Sequence, residues 1–124
     1  MNKIEDQHIV CDLTAIPADV REQHVATAPR IFQAAQEIRE LPDGYAFRLP
    51  NEPDMFMALA NFVEQERRCC PFWRFGLTVE PHGGPLWLQL TGAEGAKQLL
   101  ATALNEPQGK DVFSQLINAG EGNQ

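Results

Sequence analysis

Hydrophobic and polar residues alternate in two neighbouring stretches of the second half of the chain. Apolar side chains take every second position in both: Trp73, Phe75, Leu77 and Val79, then Leu86, Leu88 and Leu90. A period of two residues places such side chains on one face of a β-strand. Residues 81–85 between them, Pro-His-Gly-Gly-Pro, are turn formers. The pattern therefore predicts a β-hairpin.

Two earlier segments also alternate. Residues 8–13 place Ile9, Cys11 and Leu13 on one face, and residues 45–49 do the same with Tyr45, Phe47 and Leu49. The first predicts a strand that ends before Pro17. The second predicts a strand that follows a turn, where glycine at position 44 would supply a positive φ.

Helical spacing fills the remaining segments. Residues 17–41 predict a long helix with a kink or a break near Pro29, because proline lacks the amide hydrogen that a helix uses. The next helix carries the stripe Met55, Leu59, Phe62 and Glu66, and Pro71 predicts that it ends at about Cys69. A capping box at residues 91–94 predicts the start of another helix, and residues 112–117 predict a short one. The apolar side of the first consists of Ala96, Leu99, Leu100, Ala103 and Leu104.

This order of elements predicts an α+β fold. We expect a four-stranded, largely antiparallel sheet with the helices packed on one face, and a ferredoxin-like arrangement is one candidate topology. A length of 124 residues suits a single domain, 1–124. Its core would span about residues 8–118, with residues 1–6 and 119–124 disordered.

Composition excludes several classes of partner. The net charge of −7 argues against nucleic acid, which requires a basic surface. No window approaches the roughly 18 apolar residues of a membrane span, so no membrane association is expected. The first residues lack the apolar core of a signal peptide, which predicts a cytoplasmic protein.

The three cysteines, at positions 11, 69 and 70, are the most informative residues for function. An odd number without an export signal favours a reducing cytosol and thiols over a disulfide framework. Adjacent cysteines cannot easily bridge each other, because one trans peptide holds their Cα atoms closer together than a disulfide prefers.

Glu66 lies on the same helical face as Cys69 and Cys70, because it precedes them by three and four residues. Two sulfurs at a helix end suit a soft metal, namely Cu(I), Zn²⁺ or a mercury or arsenic species. Cys11 or Glu66 would supply a third donor, so the candidate metal ligands are Cys69, Cys70, Glu66 and Cys11. The ion itself is left open, and thiol redox chemistry is the second hypothesis.

The alternative is a non-catalytic interaction or dimerisation domain with buried, structural cysteines. Glu66 would then pair with Arg48 or Arg74, and Trp87, if exposed on an open sheet face, would anchor a homo-oligomer. His24 is expected to be a partly exposed helix residue, since no second histidine lies at metal-ligand spacing from it. No set of catalytic residues and no cofactor fingerprint is recognisable, which favours a protein that is not an enzyme.

Three runs of residues resemble the signature segments of a group of short, uncharacterised bacterial proteins. They are ELPDGYAFRLP at positions 40–50, ERRCCPF at positions 66–72 and LTGAEG at positions 90–95. The resemblance extends over most of residues 9–104 and implies a small bacterial cytosolic domain. It brings no established activity with it.

Overall fold

A computed structural model describes residues 11–104. The predicted helix 112–117 and the two predicted disordered ends lie outside the described residues. The elements, in chain order, are a 3₁₀ turn (Leu13–Ala15), α1 (Ala18–Gln33), β1 (Glu37–Leu41), β2 (Gly44–Leu49), α2 (Met55–Cys69), β3 (Arg74–Val79), β4 (Leu86–Thr91) and α3 (Glu94–Leu104).

The four strands form one antiparallel sheet in the order β1-β2-β4-β3. The predicted α+β class, with a four-stranded antiparallel sheet, is therefore confirmed. The ferredoxin-like arrangement is not the topology of residues 11–104: that fold has the order βαββαβ, whereas these elements follow the order αββαββα. The sheet is built from two hairpins joined by α2.

The hairpin predicted from alternation is β3 and β4, paired from Arg74↔Thr91 to Val79↔Leu86. In the turn between them the amide of Gly84 donates a hydrogen bond to the Pro81 carbonyl across 3.1 Å. The two central residues, His82 and Gly83, both have positive φ, as the turns that suit the twist of a hairpin require.

The hydrophobic core lies between one face of the sheet and the helices. The inward side chains of β2 and β4 are fully buried: Phe47, Leu49, Leu86, Leu88 and Leu90. The helices contribute Ile31, Phe32, Leu59, Phe62, Ala96 and Leu100 to the same cluster. Alternation along the strands and the 3–4 spacing along the helices thus bury a shared surface.

The predicted first strand is wrong for the part of it that the structure describes. Cys11 and Asp12 belong to no strand, and Leu13–Ala15 is a 3₁₀ turn. Asp12 begins this turn, because its carboxylate accepts a hydrogen bond from the amide of Thr14 across 3.0 Å. An acidic capping residue thus decides the local structure, while positions 8–10 lie outside the described part of the chain.

The predicted long helix over residues 17–41 is two elements. A single helix, α1, continues through Pro29 and ends at Gln33, and Glu37–Leu41 forms the edge strand β1. The strand ladder begins where the amide of Gln36 donates to the Arg48 carbonyl across 2.8 Å. Charged side chains such as Glu37 and Arg39 are typical of edge strands, where they oppose pairing with other molecules.

Glycine is required at position 44 for a reason other than the predicted positive φ. Among the described glycines positive φ occurs at Gly83. A Cβ atom on Gly44 would lie 1.9 Å from the carbonyl oxygen of Leu90 on β4. The two strands approach so closely there that no side chain fits.

Candidate functional site

The C-terminal end of α2 positions the two adjacent cysteines. The helix ends at Cys69, as predicted, and the amide of Cys70 donates to the Glu66 carbonyl across 2.7 Å. Leu59, Phe62, Glu66 and Cys69 are its buried residues, which confirms the stripe. Both thiol-bearing side chains consequently point into the core, and neither Cys69 nor Cys70 has exposed surface.

Cys11 reaches this helix end and forms a disulfide bond with Cys70. The two Sγ atoms are 2.12 Å apart and the Cα atoms 4.5 Å, across 59 positions of sequence. The segment is also held by its backbone, since the amide of Asp12 donates to the Cys69 carbonyl across 2.8 Å. The expectation of thiols at all three positions is therefore wrong for Cys11 and Cys70.

Cys69 brings a third sulfur to the same place. Its Sγ lies 3.7 Å from that of Cys70, and all three sulfurs lie within 4.8 Å of one another. Within residues 11–104 this is the one compact group of three candidate metal-ligating side chains. The structure thus unites Cys11, Cys69 and Cys70, while metal binding by them stays a prediction.

Glu66 does not belong to this sulfur group. Its Oε1 is hydrogen-bonded to Nε2 of His24 on α1 across 2.9 Å. The predicted pairing with Arg48 or Arg74 is therefore wrong, and a role for Glu66 as a metal ligand stays a prediction. The expected partial exposure of His24 is also wrong, because only 5% of its surface is accessible.

The interior position of His24 has a signal in the sequence. His24 is followed at helical spacing by Ala28 and Ile31, which are both buried on the same side of α1. The imidazole also stacks on the ring of Phe62 at a centroid separation of 5.7 Å. Burial raises the pKa of Glu66, and the hydrogen bond and charge of His24 oppose that rise.

The arginines beside the cysteines are engaged elsewhere. Arg67 and Arg68 both bond to the carboxylate of Glu64, across 3.1 and 2.7 Å, and all three side chains are at the surface. Exposed pairs of this kind are screened by solvent. The guanidinium groups therefore bind a surface carboxylate of their own helix.

A cleft of about 350 Å³ lies between α1 and α2, next to the histidine–glutamate pair. Its lining combines apolar and polar side chains: Val20, Gln23, His24, Thr27, Ala28, Ile31, Asp54, Met57, Ala58, Asn61, Phe62 and Gln65. No sequence pattern predicted it, because its two walls come from helices that are distant in sequence.

Trp87 lies on the face of the sheet that points away from the helices. It is half-buried, and the guanidinium of Arg39 lies 4.5 Å from the centre of its ring. A cation stacked on an indole shields part of that surface. The homo-oligomer that Trp87 would anchor stays a prediction.

Comparisons with protein families, with curated proteins and with solved structures found no match. The resemblance to short bacterial proteins therefore stays a prediction. In the part of the chain that the structure describes, no helix has the length and apolar character needed to cross a bilayer.

Proposed function

We propose that the protein carries a thiol redox site in which Cys11 and Cys70 alternate between a disulfide and two thiols. The observation that carries the proposal is the sulfur–sulfur bond between these residues, with a third sulfur 3.7 Å from one of them. Closing the bond removes two electrons and two protons from the thiols. With hydrogen peroxide as oxidant, the other product is two molecules of water.

The disulfide connects the chain before α1 to the end of α2. Reduction breaks this covalent link and leaves the hydrogen bond from the Asp12 amide to the Cys69 carbonyl as a local attachment. The redox state thus sets how firmly the segment around Cys11 is held. We assign the site a sensor or a regulatory role with a small oxidant such as hydrogen peroxide. Disulfide exchange on large substrates is disfavoured, because Cys11 is only 4% exposed.

Cys69 contributes a sulfur without forming the bond. A bridge between Cys69 and Cys70 is disfavoured, because neighbouring Cα atoms are about 3.8 Å apart whereas disulfides span about 4.4–6.8 Å. Cys70 therefore has a clear partner in Cys11. Cys69 lies beside the bonded pair, with its Sγ 3.7 Å from that of Cys70.

Soft-metal or metalloid binding by the reduced site is the second candidate function. It is favoured by three sulfurs within 4.8 Å of one another, a donor set that suits Cu(I), Zn²⁺ or a thiophilic mercury or arsenic species. Native mass spectrometry of the reduced protein with added Zn²⁺ or Hg²⁺ tests it. One ion should be retained by the natural sequence and lost from Cys69→Ser, and equal retention by both would refute a three-sulfur site.

A redox titration tests the first proposal. The protein is equilibrated in dithiothreitol or glutathione buffers of graded potential, and its thiols are then counted with a maleimide polymer after denaturation. The number of thiols per chain should rise from one to three as the potential becomes more reducing, with a midpoint between about −300 and −180 mV. Cys69→Ser should keep a two-thiol transition at a similar midpoint, whereas Cys70→Ser should abolish it.

The same titration separates this proposal from the rival one. A midpoint below about −300 mV would mark a structural disulfide and overturn the redox role. The protein would then be the interaction or dimerisation domain of the alternative hypothesis. A reversible midpoint within the stated range fits the reducing cytoplasm of a bacterial cell, which is the location we propose.

A further inference from the structure

The cleft between α1 and α2 combines an apolar interior with groups that accept hydrogen bonds. Its volume of about 350 Å³ falls in the range of small-molecule sites. Ile31 and Phe62 are buried in its walls, and Met57 stands at its edge with 61% of its surface exposed. An apolar body of a few carbon atoms would therefore be desolvated on entry.

A residue that lines this cleft, Gln65, has a side-chain acceptor without a hydrogen-bond partner in the described part of the chain. Oε1 of Gln65 is inaccessible to solvent and accepts no hydrogen bond from any residue between 11 and 104. A buried acceptor without a donor costs free energy, which a bound donor would recover. The cleft therefore favours a molecule that brings an N–H or O–H group to this amide.

The charged side chains around the cleft favour one sign of charge on the bound molecule. No lysine or arginine is among the residues that line it, whereas Asp54 contributes a carboxylate. The Asp54 side chain caps no amide of α2. The ring of Phe62, on which His24 stacks, forms part of the wall, and the face of a phenyl ring attracts cations. An anion would find no lysine or arginine among the lining residues and would be repelled by the Asp54 carboxylate.

We propose that the cleft binds a small organic ammonium ion with an apolar body, its N–H groups directed at the acceptors Gln65 and Asp54. The site is separate from the sulfur group, since no cysteine lines it. The two proposals therefore stand independently.

Titration of the full chain with 2-phenylethylamine, followed by ¹⁵N–¹H NMR, tests the proposal. We expect saturable shifts confined to α1, Asp54 and α2, with a dissociation constant of about 1 mM for so small a probe. The carboxylate 3-phenylpropionate has a similar apolar body and the opposite charge. It should bind at least tenfold more weakly.

Two variants locate the contacts. Gln65→Leu should weaken amine binding about threefold to tenfold and leave the fold intact, because it removes an acceptor that has no partner. Asp54→Asn should weaken it about twofold to fivefold through the lost charge. The matched controls, Gln98→Leu on α3 and Asp43→Asn in the turn between β1 and β2, should leave it unchanged.

Four results would overturn the proposal. The first is the absence of saturable shifts at an amine concentration tenfold above the expected dissociation constant, and the second is a set of shifts that lies mainly outside α1, Asp54 and α2. The others are equal binding of the carboxylate and equal effects of the site and control variants. Circular dichroism of each variant establishes that it is folded before its affinity is compared. Weaker binding by Gln65→Leu and Asp54→Asn alone, with the amine preferred over the carboxylate, supports it.

Discussion

The hydrogen bond between His24 and Glu66 should make these residues strongly interdependent. Both side chains are almost fully buried, at 3% and 1% exposure, and their Nε2 and Oε1 atoms are 2.9 Å apart. Removing one partner of a buried pair leaves the other without compensation for its lost hydration. Replacing both by apolar residues removes that penalty.

His24→Leu should be the more damaging single change at pH 7, because it leaves a buried carboxyl group alone. We expect a loss of about 3–5 kcal/mol in the free energy of unfolding. Glu66→Leu leaves the buried imidazole without its hydrogen-bond partner, at a cost of about 1–3 kcal/mol. The double variant should lie within about 1 kcal/mol of the natural sequence, which gives a coupling energy above about 2 kcal/mol.

Urea denaturation with the disulfide intact measures these values, with the fluorescence of buried Trp73 as the signal. Heating should give the same ranking, since each kcal/mol shifts the midpoint of a domain of this size by about 4 °C. Glu64→Gln is the control, because it removes an exposed ion pair on the same helix. It should change the free energy of unfolding by less than about 1 kcal/mol. A double variant less stable than either single one would refute the reasoning.

Three further predictions concern pH, packing and the disulfide. Burial raises the pKa of Glu66 above 4.5, so the folded state keeps the carboxyl proton to a higher pH than the unfolded state does. The free energy of unfolding should therefore fall as pH rises from about 4.5 through the folded-state pKa. Urea denaturation at a series of pH values measures this, and the free energy of unfolding should depend less on pH in Glu66→Gln. Gly44→Ala should lower the free energy of unfolding by about 3 kcal/mol, because the Cβ atom of the alanine would collide with the Leu90 carbonyl. An unchanged urea midpoint would contradict the close approach of β2 and β4 at this position. Cys70→Ser should lower the free energy of unfolding by about 4 kcal/mol, because the Cys11–Cys70 bond closes a loop across 59 positions. Reduction of the natural protein should have the same effect, and a change under about 1 kcal/mol would argue against the bond.

The elements that could be predicted from the sequence are those whose burial pattern is local. In α2 the apolar stripe from Leu59 to Cys69 predicts which face of the helix is buried, and Pro71 predicts where the helix ends. The hairpin of β3 and β4 shows a clear period of two residues. Each of these segments specifies its own conformation before any tertiary contact is made.

The strand β1 could not be predicted in this way. Its residues, Glu37–Leu41, include good helix formers, and Ile38 continues the apolar spacing of α1. The segment becomes a strand because β2 offers hydrogen-bonding groups along its edge, in the register Ile38↔Phe47. That preference lies in the partner strand and leaves no periodic signal in β1 itself.

The candidate site was predictable in its residues and not in its pairings. The helix end identified Cys69, Cys70 and Glu66 as neighbours. The two decisive bonds link Cys11 to Cys70 across 59 positions and His24 to Glu66 across 42. Such pairings depend on how α1 and the segment before it pack against α2, which no local pattern encodes.

The buried pair in particular requires an explanation beyond stability. An apolar core of Phe32, Phe47 and Phe62 already fills the space between the helices and the sheet. Apolar side chains at positions 24 and 66 would stabilise such a core as well as the pair does, or better. The pair therefore adds little stability over an apolar core, and its His24 member forms part of the wall of the cleft between α1 and α2.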